Sequence, residues 1–238
     1  MGMGIRIISR LLRPVPVVYV TRFNIAATLT TAPRKPMHLD PAWLDERIAL
    51  FERYCVPKMA AQTDDRFTWL ILISVETDAA IVKRLSRAPN AELVPIAPAA
   101  ALGPVIAARV AQMGNSIITA RLDSDDQLST RYTRDLREID WNGRRRFAAY
   151  FTKGLYLDPA SGAYRAVRTP LNQFPAVFER RKARDFLTVH AHRHNELYRL
   201  MDAIQIWTKR PMWCTVVHGG NVSNRMHGKP VPAPPENW

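Results

Sequence analysis

Short apolar runs alternate with segments of helical spacing through the first half of the chain. Four of these runs are rich in β-branched residues and nearly free of charge, as in strands that are buried on both faces of a sheet. The predicted strands are Val15–Phe23, Arg66–Val75, Ala91–Ala97 and Ser116–Asp123. Their alternation with helices predicts an α/β fold in which a mostly parallel sheet is flanked by helices.

The helices between these strands are marked by capping residues, proline and glycine. Asp40 can cap a helix whose first position is Pro41, where a missing N–H costs nothing. Apolar residues then recur at helical spacing up to Pro57. Two further helices are predicted over Ala79–Ala88 and Gly103–Gly114.

The second half of the chain has a different pattern, in which strand-like runs follow one another directly. Arg145–Arg168 is typical of an antiparallel hairpin that turns at Asp158–Gly162, and Asn172–Arg180 and Asp185–His192 suggest further strands. Asn195–Trp207 carries its apolar residues on roughly one helical side and predicts a helix. We therefore expect an antiparallel C-terminal extension of the α/β sheet.

No linker-like segment divides the chain, so a single domain is predicted over residues 1–238, with halves at about residues 15–126 and 127–230. With 238 residues, 47% of them hydrophobic, the chain can bury a sizeable core. The two cysteines, Cys55 and Cys214, lie far apart in sequence. They fit a reduced compartment better than a disulfide framework.

The chain is strongly basic, and the excess charge is unevenly distributed. The net charge is +13 at pH 7, and Arg131–Arg210 contains 17 basic but only 8 acidic residues. Such a field favours a polyanionic partner, whether nucleic acid, anionic lipid headgroups or a phosphorylated substrate. A solvated basic face that serves solubility alone is the alternative.

The N-terminal segment begins like a signal peptide, but its apolar stretch is interrupted by Pro14 and Pro16 and no small-residue cleavage site follows. No run approaches the roughly 18 apolar residues that a membrane span requires. A cytoplasmic protein is therefore expected. Ile5–Leu12 could lie on a membrane surface, which would place the protein at the inner face of the membrane.

Three aspartates, Asp123, Asp125 and Asp126, directly follow the fourth predicted strand. In open α/β sheets, ligands bind beyond the carboxyl ends of the strands. Carboxylates that crowd such a turn repel one another, and a hard divalent cation, Mg²⁺ or Mn²⁺, neutralises them and keeps positions free for phosphate oxygens. The alternative is that Asp123 and Asp126 cap a helix beginning near Gln127.

Several segments in a fixed order resemble one protein family. They are "YVTRFN", "WLDERIALFERYCVPKMAAQ", "RFTWLILIS", "ITARLDSDD" and "WCTVVHGGNVSNR". Together they are similar to the rhamnosyltransferase family of bacterial glycosyltransferases, which has the GT-A fold, and the resemblance extends from about Val17 to Arg225. The second predicted strand departs from that family's pattern, because it ends in Ser74 where Asp is common.

The resemblance implies a sugar-nucleotide-binding half followed by an acceptor half, with a D-x-D motif that holds a Mn²⁺ or Mg²⁺ ion at their junction. It implies that Asp123 faces the ribose or the metal, that Asp125 ligates the metal, and that Asp126 contacts the donor sugar. It also implies a late histidine as third metal ligand, for which His218 is the candidate. The alternative for His218 is a hydrogen bond to the loop backbone.

Further donor-binding candidates flank the predicted strands. Asn221, Asn224 and Arg225 follow His218 and could reach the diphosphate or the donor sugar. After the first strand, the Arg22 guanidinium could bind a diphosphate bidentately and the Asn24 amide could bind a base edge. Ordinary loop roles are the alternative for these residues.

An inverting transfer needs a base for the acceptor hydroxyl, and Glu179 is the candidate, with a structural salt bridge to Arg180 or Arg181 as the alternative. Three histidines also alternate in "VHAHRHNELY". We expect His190, His192 and His194 to contact substrate or lie at the surface, because a zinc site would need more ligands.

The predicted function is metal-dependent transfer of a sugar, with rhamnose favoured, from a nucleoside diphosphate donor to a hydroxyl of a glycan or glycolipid. A sugar-phosphate nucleotidyltransferase is the first alternative, but no Gly-rich phosphate loop follows the first strand. A basic nucleic-acid-binding protein is the second, but the basic region lacks interleaved aromatic residues and a binding motif.

Overall fold

The computed structural model describes residues 14–25, 37–98, 101–181, 186–219, 225–235 and 238. Seven strands form the larger of two sheets. They are β1 (Val17–Arg22), β2 (Phe67–Ser74), β3 (Ala91–Ile96), β4 (Ser116–Arg121), β6 (Arg146–Phe151), β9 (Ala176–Arg180) and β10 (Asp202–Ile206).

The order of strands in this sheet is β10-β6-β9-β4-β1-β2-β3. β1 runs parallel to β2 and β4, and β2 runs parallel to β3. β9 is antiparallel to both β4 and β6, whereas β10 is parallel to β6. Six strands therefore point the same way and place their carboxyl ends at one edge, which we call the carboxyl edge.

Helices and short helical turns connect the strands. The α-helices are α1 (Pro41–Leu50), α2 (Val56–Ala60), α3 (Ala79–Leu85), α4 (Leu102–Val110) and α5 (Tyr132–Arg137). A π-helical segment, Phe51–Cys55, joins α1 to α2, and 3₁₀ turns cover Met37–Leu39 and His194–Arg199. The predicted cap of α1 is confirmed, because the Trp43 backbone N–H donates to Asp40 Oδ1 at 3.0 Å.

The smaller sheet consists of strands from the second half of the chain. They are β5 (Gln127–Leu128), β7 (Lys153–Asp158), β8 (Ala163–Arg168), β11 (Trp213–Val216) and β12 (Lys229–Val231). Their order is β12-β8-β7-β11-β5, and every pair is antiparallel except β7 with β11. The predicted α/β class, with a mostly parallel sheet and an antiparallel extension, is confirmed by the two sheets.

The core lies on both faces of the larger sheet because strand side chains alternate in direction. Val17 and Tyr19 belong to one apolar cluster, and Val18 and Val20 belong to another. All four are buried, and full burial of such a side chain stabilises the fold by about 1.5–3 kcal/mol. The sheet is therefore a rigid platform for the residues that follow its strands.

Two predictions for the second half are wrong. Asn195–Trp207 is not one helix, because it contains the 3₁₀ turn followed by β10, in which Ile204 and Ile206 alternate along a strand paired with β6. The described part of the predicted strand Asp185–His192 contains no strand. β6, β9 and β10 complete the larger sheet, so both halves of the chain contribute to it.

Among the described residues, no helix has both the length and the apolar composition needed to cross a membrane. The proposed membrane-surface segment Ile5–Leu12 lies outside the described residues. A cytoplasmic location and a contact with an anionic membrane both stay predictions.

Candidate active site at the carboxyl edge

The three aspartates lie in the turn that leaves β4 at the carboxyl edge. β1 ends beside this turn at Arg22, and β4 ends at Arg121. The backbone N–H of Asp126 donates to the Asp123 carbonyl at 3.2 Å, which closes the turn. The carboxylates are thus held at the edge where α/β sheets bind ligands.

Asp125 is the point at which distant parts of the chain meet. Arg47 Nη1, from α1, donates to Asp125 Oδ2 at 2.8 Å, and His218 Nε2, from the loop after β11, lies 3.0 Å from the same oxygen. Only 9% of the Asp125 side chain is exposed. The Arg47 guanidinium also lies over the Trp43 ring, 5.3 Å from its centroid.

Asp123 forms a bidentate ion pair with Arg121, whereas Asp125 interacts with Arg47 and His218. Arg121 Nε donates to Asp123 Oδ1 at 3.1 Å, and Arg121 Nη2 donates to Asp123 Oδ2 at 2.8 Å. Burial would raise the pKa of Asp123, but the Arg121 guanidinium outweighs it and holds the pKa at about 2. Asp123 is therefore ionised at neutral pH.

Asp126 faces inward and joins the two sheets. Its Oδ1 accepts a hydrogen bond from the Val216 backbone N–H at 2.9 Å, and the residue is 2% exposed. Burial raises the pKa of Asp126 well above its usual value, and the Asp125 and Asp123 carboxylates raise it further. The helix-cap alternative is wrong, because Gln127–Leu128 forms β5.

The predicted metal ligands are brought together in part. Asp125 Oδ2 and His218 Nε2 lie close enough to bind one cation, and carboxylate oxygen with imidazole nitrogen suits Mn²⁺. Asp123 is bound to Arg121 instead. Across the described part of the chain, no group of three or more His, Cys, Asp and Glu side chains could hold a metal ion. Two protein ligands fit a divalent cation here, and the third does not.

A group of basic side chains surrounds Asp123. Arg121 Nη1 lies 2.8 Å from His194 Nδ1. Burial, followed by the charges of Arg121 and Arg22, lowers the pKa of His190 to about 3. Burial and then Arg121 lower the pKa of His194 to about 4, so both imidazoles are neutral at pH 7.

Two of these groups contain buried polar atoms without a partner. Among the described residues, Arg22 Nε and His190 Nε2 make no hydrogen bond. Burial lowers the pKa of Arg22, with Arg121 as the next cause. An anionic ligand would relieve the repulsion between the two guanidiniums, since it supplies the missing negative charge.

The other sequence candidates have different environments. Asn24 is buried, its Oδ1 accepts from the Ser74 N–H at 3.2 Å and from Thr77 Oγ1 at 3.1 Å, and its Nδ2 donates to the His38 carbonyl. Asn24 thus ties β1 to the end of β2. Arg225 is exposed. Asn221 and Asn224 lie outside the described residues.

His192 is exposed, and Glu179 lies at the opposite end of β4 from the aspartate turn. His192 Nδ1 lies 3.0 Å from Glu196 Oε2 at the surface. Glu179 pairs with Ile117 near the amino end of β4, and Arg146 Nε donates to it at 2.8 Å. Four residues of strand, about 13 Å, separate Ile117 from Arg121. The prediction of Glu179 as catalytic base is therefore not supported, and its salt bridge is with Arg146.

Arg47 and Arg121 are site residues that the sequence patterns did not identify. Arg121 precedes the aspartates within the quoted motif, so an arginine two residues before a carboxylate was an available signal. Arg47 lies 78 residues before its partner and resembles any charged residue on a helix surface. Only the packing of α1 against the turn reveals its role.

Comparisons with known proteins give one family and several distant structures. The sequence model of a family described as "Putative rhamnosyl transferase" matches residues 16–230. This match covers all of the predicted resemblance and runs from the start of β1 into β12. A search of curated protein sequences finds no significant match.

The solved structures that match this chain have low sequence identity. S. aureus TarS 1–349 in complex with UDP-GlcNAc is 9% identical with a TM-score of 0.47, and the match covers 87% of this chain and 60% of that one. A cytidylyltransferase from Leptospira borgpetersenii serovar Hardjo-bovis is 10% identical, with a TM-score of 0.44 and coverage of 83% and 77%. HddC from Yersinia pseudotuberculosis is 11% identical, with a TM-score of 0.38 and coverage of 82% and 91%.

The chain thus spans 60% of the length of the TarS chain that it matches. All three TM-scores are below 0.5, so the family model carries the assignment.

Proposed function

The chain belongs to the putative rhamnosyl transferase family, and we propose that it moves a sugar, rhamnose in the first instance, from a nucleoside diphosphate donor to a hydroxyl of a glycan or glycolipid acceptor. The observation that carries this proposal is the convergence of Arg47 and His218 on Asp125 at the carboxyl edge. Binding of a diphosphate needs positive charge, and Arg22, Arg47 and Arg121 provide positive charge at this edge.

The arginines of the site suit a diphosphate. Arg22 and Arg121 lie beside Asp123, and Arg47 lies on Asp125. The partnerless Nε of Arg22 and the repulsion between Arg22 and Arg121 favour an anionic ligand between them. Guanidiniums bind phosphate oxygens bidentately. We propose that these residues bind and orient the donor diphosphate.

Asp125 and His218 would hold a divalent cation, Mn²⁺ or Mg²⁺. Such a cation supplies Lewis-acid stabilisation of the charge that develops on the departing diphosphate. Asp126, through its bond to the Val216 N–H, fixes the turn and keeps Asp125 in place. Asp123 is held ionised by Arg121, but its side chain is 27% exposed, so its remaining lone pairs could accept a hydrogen bond from the donor sugar or ribose.

The test is transfer or hydrolysis of nucleoside diphosphate rhamnose, measured with Mn²⁺ and with a strong chelator. We expect the Asp125→Ala variant to lose about 100-fold or more in kcat, because it removes the carboxylate that would hold the divalent cation together with His218. The matched control is Asp65→Ala, an exposed carboxylate before β2, which keeps wild-type activity. Full activity of Asp125→Ala, or full activity in chelator, would contradict the metal-dependent mechanism.

The same assay addresses the alternatives. Pyrophosphate release from a nucleoside triphosphate and a sugar phosphate would support a nucleotidyltransferase. Binding of nucleic acid that survives a competitor polyanion would support a nucleic-acid-binding protein.

A further inference from the structure

A cleft of about 400 Å³ lies on the smaller sheet, apart from the aspartate turn. The residues that line it are Lys153, Ala166, Val167, Arg168, His227, Gly228 and Lys229. Lys153 is the first residue of β7, and Leu157 lies near the other end of β7. Leu157 pairs with Val216 on β11, whose N–H donates to Asp126. The cleft thus begins about 13 Å along the strand from the residue that contacts the turn.

The cleft concentrates positive charge without a carboxylate among its lining residues. Lys153 and Arg168 are directly opposite each other in the β7–β8 hairpin, and Lys229 on β12 pairs with Ala166 on β8. Like charges directly opposite each other destabilise a sheet. Lys153 Nζ donates to the Lys209 carbonyl, and among the described residues neither Lys153 nor Arg168 forms an ion pair with a carboxylate, so an anionic ligand would offset the repulsion between them.

An exposed aromatic ring borders the same cations. The Arg168 guanidinium lies 4.8 Å from the centroid of the Trp207 ring, and Trp207 is 69% exposed. An indole offers a flat apolar surface that packs against the apolar face of a sugar ring. The ring and the guanidinium together suit a sugar that carries a negative charge.

One wall of the cleft is held in place by a glycine. Gly228 has a φ of +98°, and a Cβ there would lie 2.4 Å from the Ala166 carbonyl oxygen. Arg165 Nη1 donates to the Gly228 carbonyl at 3.1 Å. The segment that carries His227 and Lys229 is therefore fixed closely against β8, and the cleft is formed before any ligand binds.

We propose that this cleft binds an acidic saccharide, a glycan residue that bears a carboxylate or phosphate, as part of the acceptor. Lys153, Arg168 and Lys229 bind the anionic group, and Trp207 packs against the sugar ring. The naming of this saccharide as acceptor rests on the proposed function. Its binding does not, since a binding measurement needs no turnover.

The experiment is a calorimetric titration of the full chain, first with an oligogalacturonate and then, separately, with a neutral maltooligosaccharide of the same length. We expect the acidic oligosaccharide to bind at least tenfold more tightly and its affinity to fall as salt is added. The double variant Arg168→Ala/Lys229→Ala loses tenfold or more in affinity, and Trp207→Ala loses about fivefold. The control, Lys83→Ala/Arg87→Ala, removes two exposed charges on and after α3 and binds as wild type.

Donor hydrolysis is measured on the same variants and is expected to be unchanged. Equal affinity for the acidic and neutral oligosaccharides, or wild-type binding by the double variant, overturns the inference. Binding to phosphatidylglycerol vesicles in the absence of oligosaccharide binding also overturns it, because the surface would then serve an anionic membrane. Oligosaccharide binding by a chain without transferase activity would instead contradict the proposed function and leave the cleft assignment standing.

Discussion

The two edges of the larger sheet bury carboxylates beside arginines in different ways. At the amino edge, Glu179 accepts from Arg146 Nε at 2.8 Å and from the backbone N–H groups of Leu187 and Thr188, both at 2.9 Å. At the carboxyl edge, Asp125 interacts with two side chains, Arg47 and His218, at a single oxygen.

The difference lies in what each partner can do. Backbone N–H groups are fixed by the fold, whereas Arg47 and the His218 imidazole can turn away from the carboxylate. Glu179 is 1% exposed and is bonded on both oxygens, so no ligand can reach it without local unfolding. Asp125 can exchange a protein partner for a ligand. A buried carboxylate with fixed partners therefore indicates a structural role, and one with movable partners indicates a binding role.

The largest expected effect is on stability at the amino edge. Glu179→Gln removes the buried charge that forms an ion pair with Arg146 and accepts two backbone hydrogen bonds, so the free energy of unfolding should fall by about 3 kcal/mol. Transfer activity per folded molecule should stay unchanged. Urea unfolding with a parallel activity assay measures both quantities. The exposed carboxylate of Glu138 provides the control, since Glu138→Gln should change stability by less than about 0.5 kcal/mol.

A tenfold or larger loss of activity in folded Glu179→Gln would contradict this comparison. It would restore the role of catalytic base that was predicted from the sequence.

The carboxyl edge should lose stability in acid. The pKa of His190 is about 3 in the folded protein, below the unfolded value of about 6.5, so below pH 6.5 the unfolded chain binds the additional proton. Stability from this group is complete above pH 6.5 and falls as the pH is lowered toward 4. After allowance for partial exposure, we expect the loss to be on the order of 2 kcal/mol.

The measurement compares unfolding free energies of wild type and His190→Gln between pH 4 and 7. Asp126 acts with the opposite sign in this window, because its raised pKa makes stability fall as the pH rises above about 4. The difference between the two proteins isolates the histidine. Parallel curves for the two proteins would show that His190 is protonated as easily when folded as when unfolded.

The strands that end at the carboxyl edge could be predicted because most of their residues are buried in the sheet and are therefore apolar. β1, β2 and β4 are rich in β-branched, aromatic or leucine residues, and each lies within the predicted range. The start of helix α1 could also be predicted from the sequence, because Asp40 and Pro41 act within the first turn of the helix. Local chemistry decides such features, and local chemistry is visible in the sequence.

Features that depend on contacts between residues far apart in the sequence were harder to predict. Asn195–Trp207 has apolar residues at both helical and alternating spacing, and pairing with β6 decides in favour of the strand β10. His218 was correctly placed near Asp125, although 93 residues separate them, because the family resemblance supplied the long-range information. The pairing of Arg47 with Asp125 had no such guide.

The smallest effect tests whether Arg47 can yield its place to a cation. Arg47→Met keeps most of the side-chain length over Trp43 but removes the charge that competes for Asp125 Oδ2. We expect the variant to bind Mn²⁺ about fivefold more tightly in the absence of donor, equivalent to about 1 kcal/mol for a partly exposed ion pair. Calorimetric titration with Mn²⁺ alone measures this change. Arg47→Lys keeps the charge and serves as the control, and weaker Mn²⁺ binding by Arg47→Met would mean that Arg47 orients Asp125 for the cation. Arg47 would then stay in place beside Asp125, as the backbone N–H groups stay in place beside Glu179. The two carboxylates would differ only in how exposed they are.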